Sequence, residues 1–307
     1  LSAQEETPLA THPRQPTGLA RRERRLTDEM TERRMLDAAV AMVSRTGLTV
    51  SLEHISFEDV IRAADVSRSS AYRRWPYKDL FVGDLLRELA RAAGPGMVDD
   101  ALTFDHIKNF LLQRLDWFET PESRARLAAE LIREAAPLDF AWVYQSPAWR
   151  TYFALHVTFL SLADGALRDE IQATLTATEH RFIAAVAQAW QFMAGLLGYR
   201  LRPELNATFE TLASLLMAGE RGLVLMALAM PELAARRLQS RPVGATETSA
   251  WSLNALSLQS IATAFLEPDP DFVWTEARKA ALPALLDLDA LQGAGILAPP
   301  QTEGKEP

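Results

Sequence analysis

The chain has 307 residues, 48% of them hydrophobic, which is enough for a packed core and too apolar for a mainly disordered chain. There is no cysteine, so disulfides and thiolate metal sites are excluded, and the five histidines (His12, His54, His106, His156, His180) are too far apart for helical i, i+4 metal ligation. The net charge of −8 is unevenly placed: residues 1–90 hold 14 basic and 14 acidic side chains, leaving 18 and 26 of the totals of 32 and 40 beyond them.

Residues 1–26 are rich in Pro, Thr and Arg, lack an apolar period, and read as a flexible basic arm; Arg21-Arg22-Glu23-Arg24-Arg25 is its densest part. No apolar signal-peptide core stands in this stretch. Leu36, Ala39, Val40 and Val43 recur at helical spacing and predict a helix over 27–45, stopped by Gly47. Ser56, with Asp59 three residues on, opens a short second helix ending near Ala64. Ser67 caps a third that runs to Trp75, Pro76 ends it, and a fourth follows over 78–91.

Gly94-Pro95-Gly96 is the clearest linker, and the expected domain boundary falls there. Beyond it helices are expected over 104–118, 121–135, 147–163, 167–197, 204–230 and 250–266, with a further one allowed over 272–291 before a disordered tail from Pro299. No stretch alternates apolar and polar residues long enough to predict a strand. The fold class is therefore all-α: a small N-terminal unit over 27–93, a larger helical one over 97–266, and an acidic, Pro-containing 267–307. Two uncharged runs, 182–199 and 248–266, are short and dotted with Gln, Ser, Thr or Gly, so buried helices explain them better than membrane spans. A soluble, cytoplasmic chain is the expectation.

Three short helices within 27–75, the last two separated only by Ala64-Asp65-Val66, have the layout of a helix-turn-helix. The third helix fits the major groove in width, and Ser67, Arg68, Ser69 and Ser70 occupy its N-terminal half, where base edges are reached. Ser67–Lys78 carries Arg68, Arg73, Arg74 and Lys78 and no acid, a local positive stripe of the kind phosphate binding requires.

The run Ser56-Phe57-Glu58-Asp59-Val60-Ile61-Arg62-Ala63-Ala64-Asp65-Val66-Ser67-Arg68-Ser69-Ser70-Ala71-Tyr72-Arg73-Arg74-Trp75-Pro76-Tyr77-Lys78-Asp79-Leu80-Phe81 resembles the signature of the tetracycline-repressor family of regulators. The matching features are the Ala-Ala-x-Val-Ser turn, the Tyr late in the third helix, the aromatic-Pro-x-Lys step and the Leu after it. The resemblance covers roughly residues 30–90. It implies a transcriptional regulator, a repressor in most such proteins, that binds a palindromic double-stranded DNA operator as a homodimer and is released by a small-molecule effector. It also implies that Tyr72 and Lys78 grip phosphate while Arg68, Ser69, Ser70 and Arg73 face the groove; Ser56 and Ser67, at the helix starts, complete the candidate DNA-binding set. Three features depart from the pattern. Asp65 stands where the family has Gly, Ile61 and Ala71 exchange a small and a larger residue, and the 48–55 connection is long.

In the second half, Phe140, Trp142, Tyr144, Trp149, Tyr152, Phe153 and Phe159 concentrate seven of 25 aromatics in twenty residues. Such clusters are core more often than pocket. The resemblance implies an effector cavity in this half, and Trp142, Trp149, Tyr152, Phe153 and His156 are its candidate lining. The apolar excess of 212–230 (Leu215, Leu216, Leu223, Leu225, Met226, Met230) and the weakly polar 252–266 are the candidate dimer interface. No nucleophile elbow, phosphate loop or carboxylate–histidine arrangement is present, so neither an enzyme nor a cofactor or metal is expected; Glu130 and Glu134 suit a solvated helix face. The rival reading is a helical DNA-binding protein whose second half docks a protein partner.

Overall fold

The computed structural model describes residues 27–46, 55–92, 101–287 and 291. The basic arm, His12, His54, most of the 48–55 connection, Gly94-Pro95-Gly96 and the tail from Pro299 lie outside them. Among the described residues the fold is all-α: α1 (Asp28–Thr46), α2 (Phe57–Ala63), α3 (Arg68–Arg74), α4 (Lys78–Ala92), α5 (Ala101–Leu112), α6 (Pro121–Gln145), α7 (Pro147–Leu160), α8 (Ala166–Leu197), α9 (Phe209–Ala229), α10 (Glu232–Ala235), α11 (Leu253–Phe265) and α12 (Glu276–Leu285).

Hydroxyl caps set most of the helix starts. Ser56, Ser67, Thr120, Ser146, Thr208, Ser252 and Thr275 each accept a hydrogen bond from the backbone N–H three residues on. At Thr120 and Thr208 a reciprocal bond from Ser123 and Thr211 completes a capping box. The sequence pattern ends the 121 helix at Ala135, ahead of Pro137, yet α6 runs ten residues further. Pro137 removes one N–H, but the turns after it bury Phe140 and Val143, and that packing outweighs the lost bond.

Two small antiparallel pairs also form, against the expectation of no strand. β1 (Tyr199–Leu201) pairs with β4 (Leu266–Pro268), and β2 (Arg237–Ser240) with β3 (Ser249–Ser252). With three or four residues each they show no readable period. The first pair joins the ends of α8 and α11, locked by Arg200 on Glu267 at 2.9 Å. Residues after 266 do not trail away: Trp274 stacks on Phe118 at 4.5 Å, and Leu282 and Leu286 are buried beside Phe110 and Leu127.

One continuous core runs from Met35, Ala39 and Val43 of α1 through Trp75, Phe81 and Leu85 to Trp149, Leu155 and Ile171 of α7 and α8. The N-terminal helices are thus built onto the helical body. Arg87 of α4 bonds Glu170 of α8 at 2.5 Å, and Gly83 lies where an added Cβ would sit 3.5 Å from Leu167. Among the described residues one helix, α9, is long and apolar enough by length and composition to cross a membrane; it packs on α6, α8, α10 and α11 and buries Leu212, Leu216 and Val224.

Candidate functional site

The joint between α2 and α3 follows from its residues. Asp65 takes the left-handed conformation (φ +52°), the one expected where Gly is usual. Its N–H donates to the Arg62 carbonyl and that of Val66 to the Ile61 carbonyl, both at 3.3 Å. This is the paired-bond helix stop that turns the chain sharply. Val60, Ile61, Val66, Ala71 and Trp75 are buried in one cluster, and Phe57 of α2 meets the Tyr72 ring of α3 edge-on at 5.3 Å. Trp75 anchors α3 from below, with its indole N–H on Asp84 at 2.8 Å.

This packing fixes which side of α3 faces outward. Arg68, Ser69, Tyr72 and Arg73 are exposed, as are Lys78 at the start of α4 and the neighbouring Tyr77. Ser56 and Ser67 serve as caps, and Ser69 meets the Ser67 hydroxyl at 3.1 Å. Ser70 corrects the expectation of a groove-facing side chain. It is 8% exposed, and its hydroxyl accepts from Ser67 at 2.9 Å, because position 70 lies on the inner face with Ala71.

The stripe that carries no acid in sequence acquires acids from other helices. Arg68 meets Glu58 at 2.8 Å, and the Tyr72 hydroxyl donates to the same carboxylate at 3.0 Å. That bond raises the Tyr72 pKa above its ordinary value. Arg73 pairs with Asp28 of α1. Arg74 turns inward to Glu32 at 2.9 Å and Asp84 at 3.3 Å, so it braces α1, α3 and α4 instead of presenting its charge. No local pattern announces Glu58; it becomes legible only once α2 is seen to lie against α3.

In the helical body the aromatic cluster surrounds an ion pair. Trp142, Trp149, Tyr152 and Phe153 meet edge-on or tilted, with His156 at 4.4 Å from the Tyr152 ring. Arg221 of α9 lies over Trp149, Tyr152 and Phe182 and donates to both oxygens of Glu179 at 2.9 and 3.0 Å. Tyr152 donates to Glu179 as well, and His156 stands 3.4 Å from it. Burial alone would raise the Glu179 pKa, but bonds from His156 and Tyr152 and the Arg221 charge hold it at about 2. His156 is raised in return, chiefly by its bond to Glu179. Sequence reading placed the rings but missed Glu179 and Arg221, which arrive from α8 and α9.

A second, half-buried carboxyl pair lies nearby. The carboxyls of Asp139 (α6) and Glu220 (α9) are hydrogen-bonded to each other. Burial pushes Asp139 up to about 6, and burial together with the Asp139 charge pushes Glu220 well above the usual range. Asn254 of α11 donates to Glu220 at 2.9 Å.

Among the described residues, two of the cavities in the body stand out, and none of the five candidate lining residues borders either. One, about 650 Å³, lies between α5 and α6 and is bordered by Arg114, Arg126, Arg133, Glu130 and Glu134. There Glu130 and Glu134 are both held by Arg133, at 2.7 and 2.5 Å. The other, about 300 Å³, lies between α6, α9, α10 and the start of α11. Among the described residues no three His, Asp or Glu side chains converge as metal ligands. No protein-family model matches the chain, and no curated protein matches it.

Proposed function

We propose that this chain is a DNA-binding transcriptional regulator that lays the outer face of α3 in the major groove. The observation that carries the reading is the α2–α3 joint, which holds Arg68, Ser69, Tyr72 and Arg73 on one exposed face with Lys78 beside them. In this helix-turn-helix arrangement Arg68, on the first turn, reaches a guanine edge, while Tyr72 and Lys78 hold phosphates. Arg68→Ala should then cost about 1–3 kcal/mol on the operator and little on random DNA. Lys78→Ala should weaken both and reduce the salt slope by about one unit. Fluorescence anisotropy on both DNAs across a salt series tests this, and equal losses from Arg68→Ala would move that arginine to the backbone.

A two-fold dimer on a palindromic operator completes the reading, with α9 and α11 as its interface. Thr211, Leu215, Ala218, Gly222, Leu225 and Ala229 follow one another at alternating spacings of four and three along the outer side of α9. Leu215, Leu225 and Met226 are 44%, 47% and 49% exposed. Beside them α11 has no charged residue, and Gly219 lets the two helices approach, its Cβ position 3.0 Å from Ser257 Oγ. Leu216 is buried and Leu223 borders the smaller cavity, so these two belong to the inner face and not to the interface.

A small-molecule effector in the helical body would release the DNA by biasing α8 and α9, since α8 carries α4. The Trp142, Trp149, Tyr152, Phe153 and His156 cluster borders neither cavity described above, so an effector seated there would have to part the rings. Arg221 Nε and Nη2 and Trp149 Nε1 are buried there without an acceptor from the protein.

A further inference from the structure

We infer that the cavity of about 650 Å³ between α5 and α6 binds an extended zwitterion, a small molecule with a carboxylate at one end and an ammonium at the other. The two helices are joined through the short 3-10 helix Leu115–Phe118, so the residues that follow α5 meet the early turns of α6 and close one end of the cavity. That end holds Arg114, Trp117 and Arg126. Glu130, Arg133 and Glu134 continue along the same face of α6. The helical rise of about 1.5 Å per residue puts positions 130 and 134 roughly 6 and 12 Å beyond Arg126.

Each end has charge left over, and the two signs are opposite. Arg114 lies over the Phe110 ring at 3.9 Å, its Nη1 donates to the Phe110 carbonyl at 3.0 Å, and among the described residues it makes no ion pair. Arg126 rests on the Trp117 ring at 4.0 Å and makes no hydrogen bond among the described residues; its ion pair is with Glu247 at 3.6 Å, a side chain 77% exposed. A guanidinium resting on a ring uses its face and keeps N–H groups at its edge for a carboxylate. Two guanidiniums against one solvated carboxylate leave this end positive. At the other end the count is reversed. Glu130 and Glu134 share the single Arg133, at 2.7 and 2.5 Å, and the second oxygen of each accepts from no described residue. The Arg126 and Glu134 side chains are 37% and 36% exposed, so neither end is sealed from a ligand.

An ion of one sign gains at one end and is repelled at the other, whereas a zwitterion gains at both. Asn109 and Gln113, which also border the cavity, are neutral and oppose neither group. The site shares no residue with the Arg221–Glu179 cluster, and the inference does not rest on the DNA reading.

The probe is 6-aminohexanoate, with hexanoate and hexylamine as its two halves, each titrated into the full-length protein by calorimetry at low salt. The zwitterion should bind at least about tenfold more tightly than either half, the size expected when one charge-assisted contact is lost. Arg114→Gln should lower the zwitterion to the level of hexylamine. Glu134→Gln should lower it to the level of hexanoate, while Arg133 keeps Glu130 as its partner. Far-ultraviolet dichroism checks that both variants fold, and Arg126→Gln tests the same end where Arg114→Gln does not. Either half binding as tightly as 6-aminohexanoate to the unaltered protein overturns the zwitterion requirement. No binding of 6-aminohexanoate at millimolar concentration, or binding that a folded variant at either end leaves unchanged, overturns the site.

Discussion

Replacing Asp139 by Asn should stabilise the protein at neutral pH and do little in mild acid. Asp139 shares a hydrogen bond with Glu220, and burial raises its pKa from 3.8 to about 6. Between those values the folded protein keeps a proton that the unfolded chain has released, so stability falls as pH rises through the window and levels above it. The interval corresponds to about 3 kcal/mol at about 1.4 kcal/mol per unit. Asparagine keeps the shape, can donate to Glu220 and carries no charge to bury. Asp139→Asn should therefore gain up to about 3 kcal/mol at pH 7.5 and close to nothing at pH 4. Glu220 retains its own burial, so a residual slope remains. Urea unfolding followed at 222 nm, at fixed protein concentration because association shifts apparent stability, measures both points. An equal change at the two pH values, or a net loss at pH 7.5, would refute a raised Asp139 pKa.

Glu substituted at both Leu215 and Leu225, exposed positions whose loss leaves the inner core intact, should turn a dimer into folded monomers by light scattering with weakened operator binding. Asp65→Val should lower stability by about 1–2 kcal/mol because a β-branched residue resists the left-handed turn, whereas Asp65→Gly should leave it equal or higher; thermal unfolding distinguishes them. Glu179→Gln removes the carboxylate that raises His156, so the imidazole should titrate at lower pH by NMR, and His156 should lose its charge earlier as pH rises.

Much of the fold is legible because helix starts are written locally. A Ser or Thr followed by a free N–H three residues on needs no distant partner, and α2, α3, α6 and α7 begin where those hydroxyls stand. The turn between α2 and α3 is legible for the same reason: one residue able to take positive φ, flanked by residues that can be buried. Position 137 misleads because the penalty for proline is local and the compensation from Phe140 and Val143 is tertiary. Adjacent leucines mislead likewise, since Leu215 faces out and Leu216 in, a difference that depends on where α8 and α11 lie. The charged partners were hidden for a stronger reason. Glu179 and Arg221 are 42 residues apart, and the Asp139–Glu220 pair joins α6 to α9, so no window of sequence holds either set.

Glu58 bears on selectivity in the proposed complex. At 2.8 Å from Arg68 and 3.0 Å from Tyr72, it gives the reading face a partner of its own before any nucleic acid arrives. A base edge then gains the arginine only by outcompeting a carboxylate that already satisfies it. A guanine, with two acceptors set for the guanidinium fork, can make that exchange; a base without them leaves Arg68 at home. The carboxylate acts as an internal standard against which each sequence is weighed. The exchange lowers affinity where Arg68 is drawn away, and it keeps Arg68 off any group that holds it less well than Glu58 does.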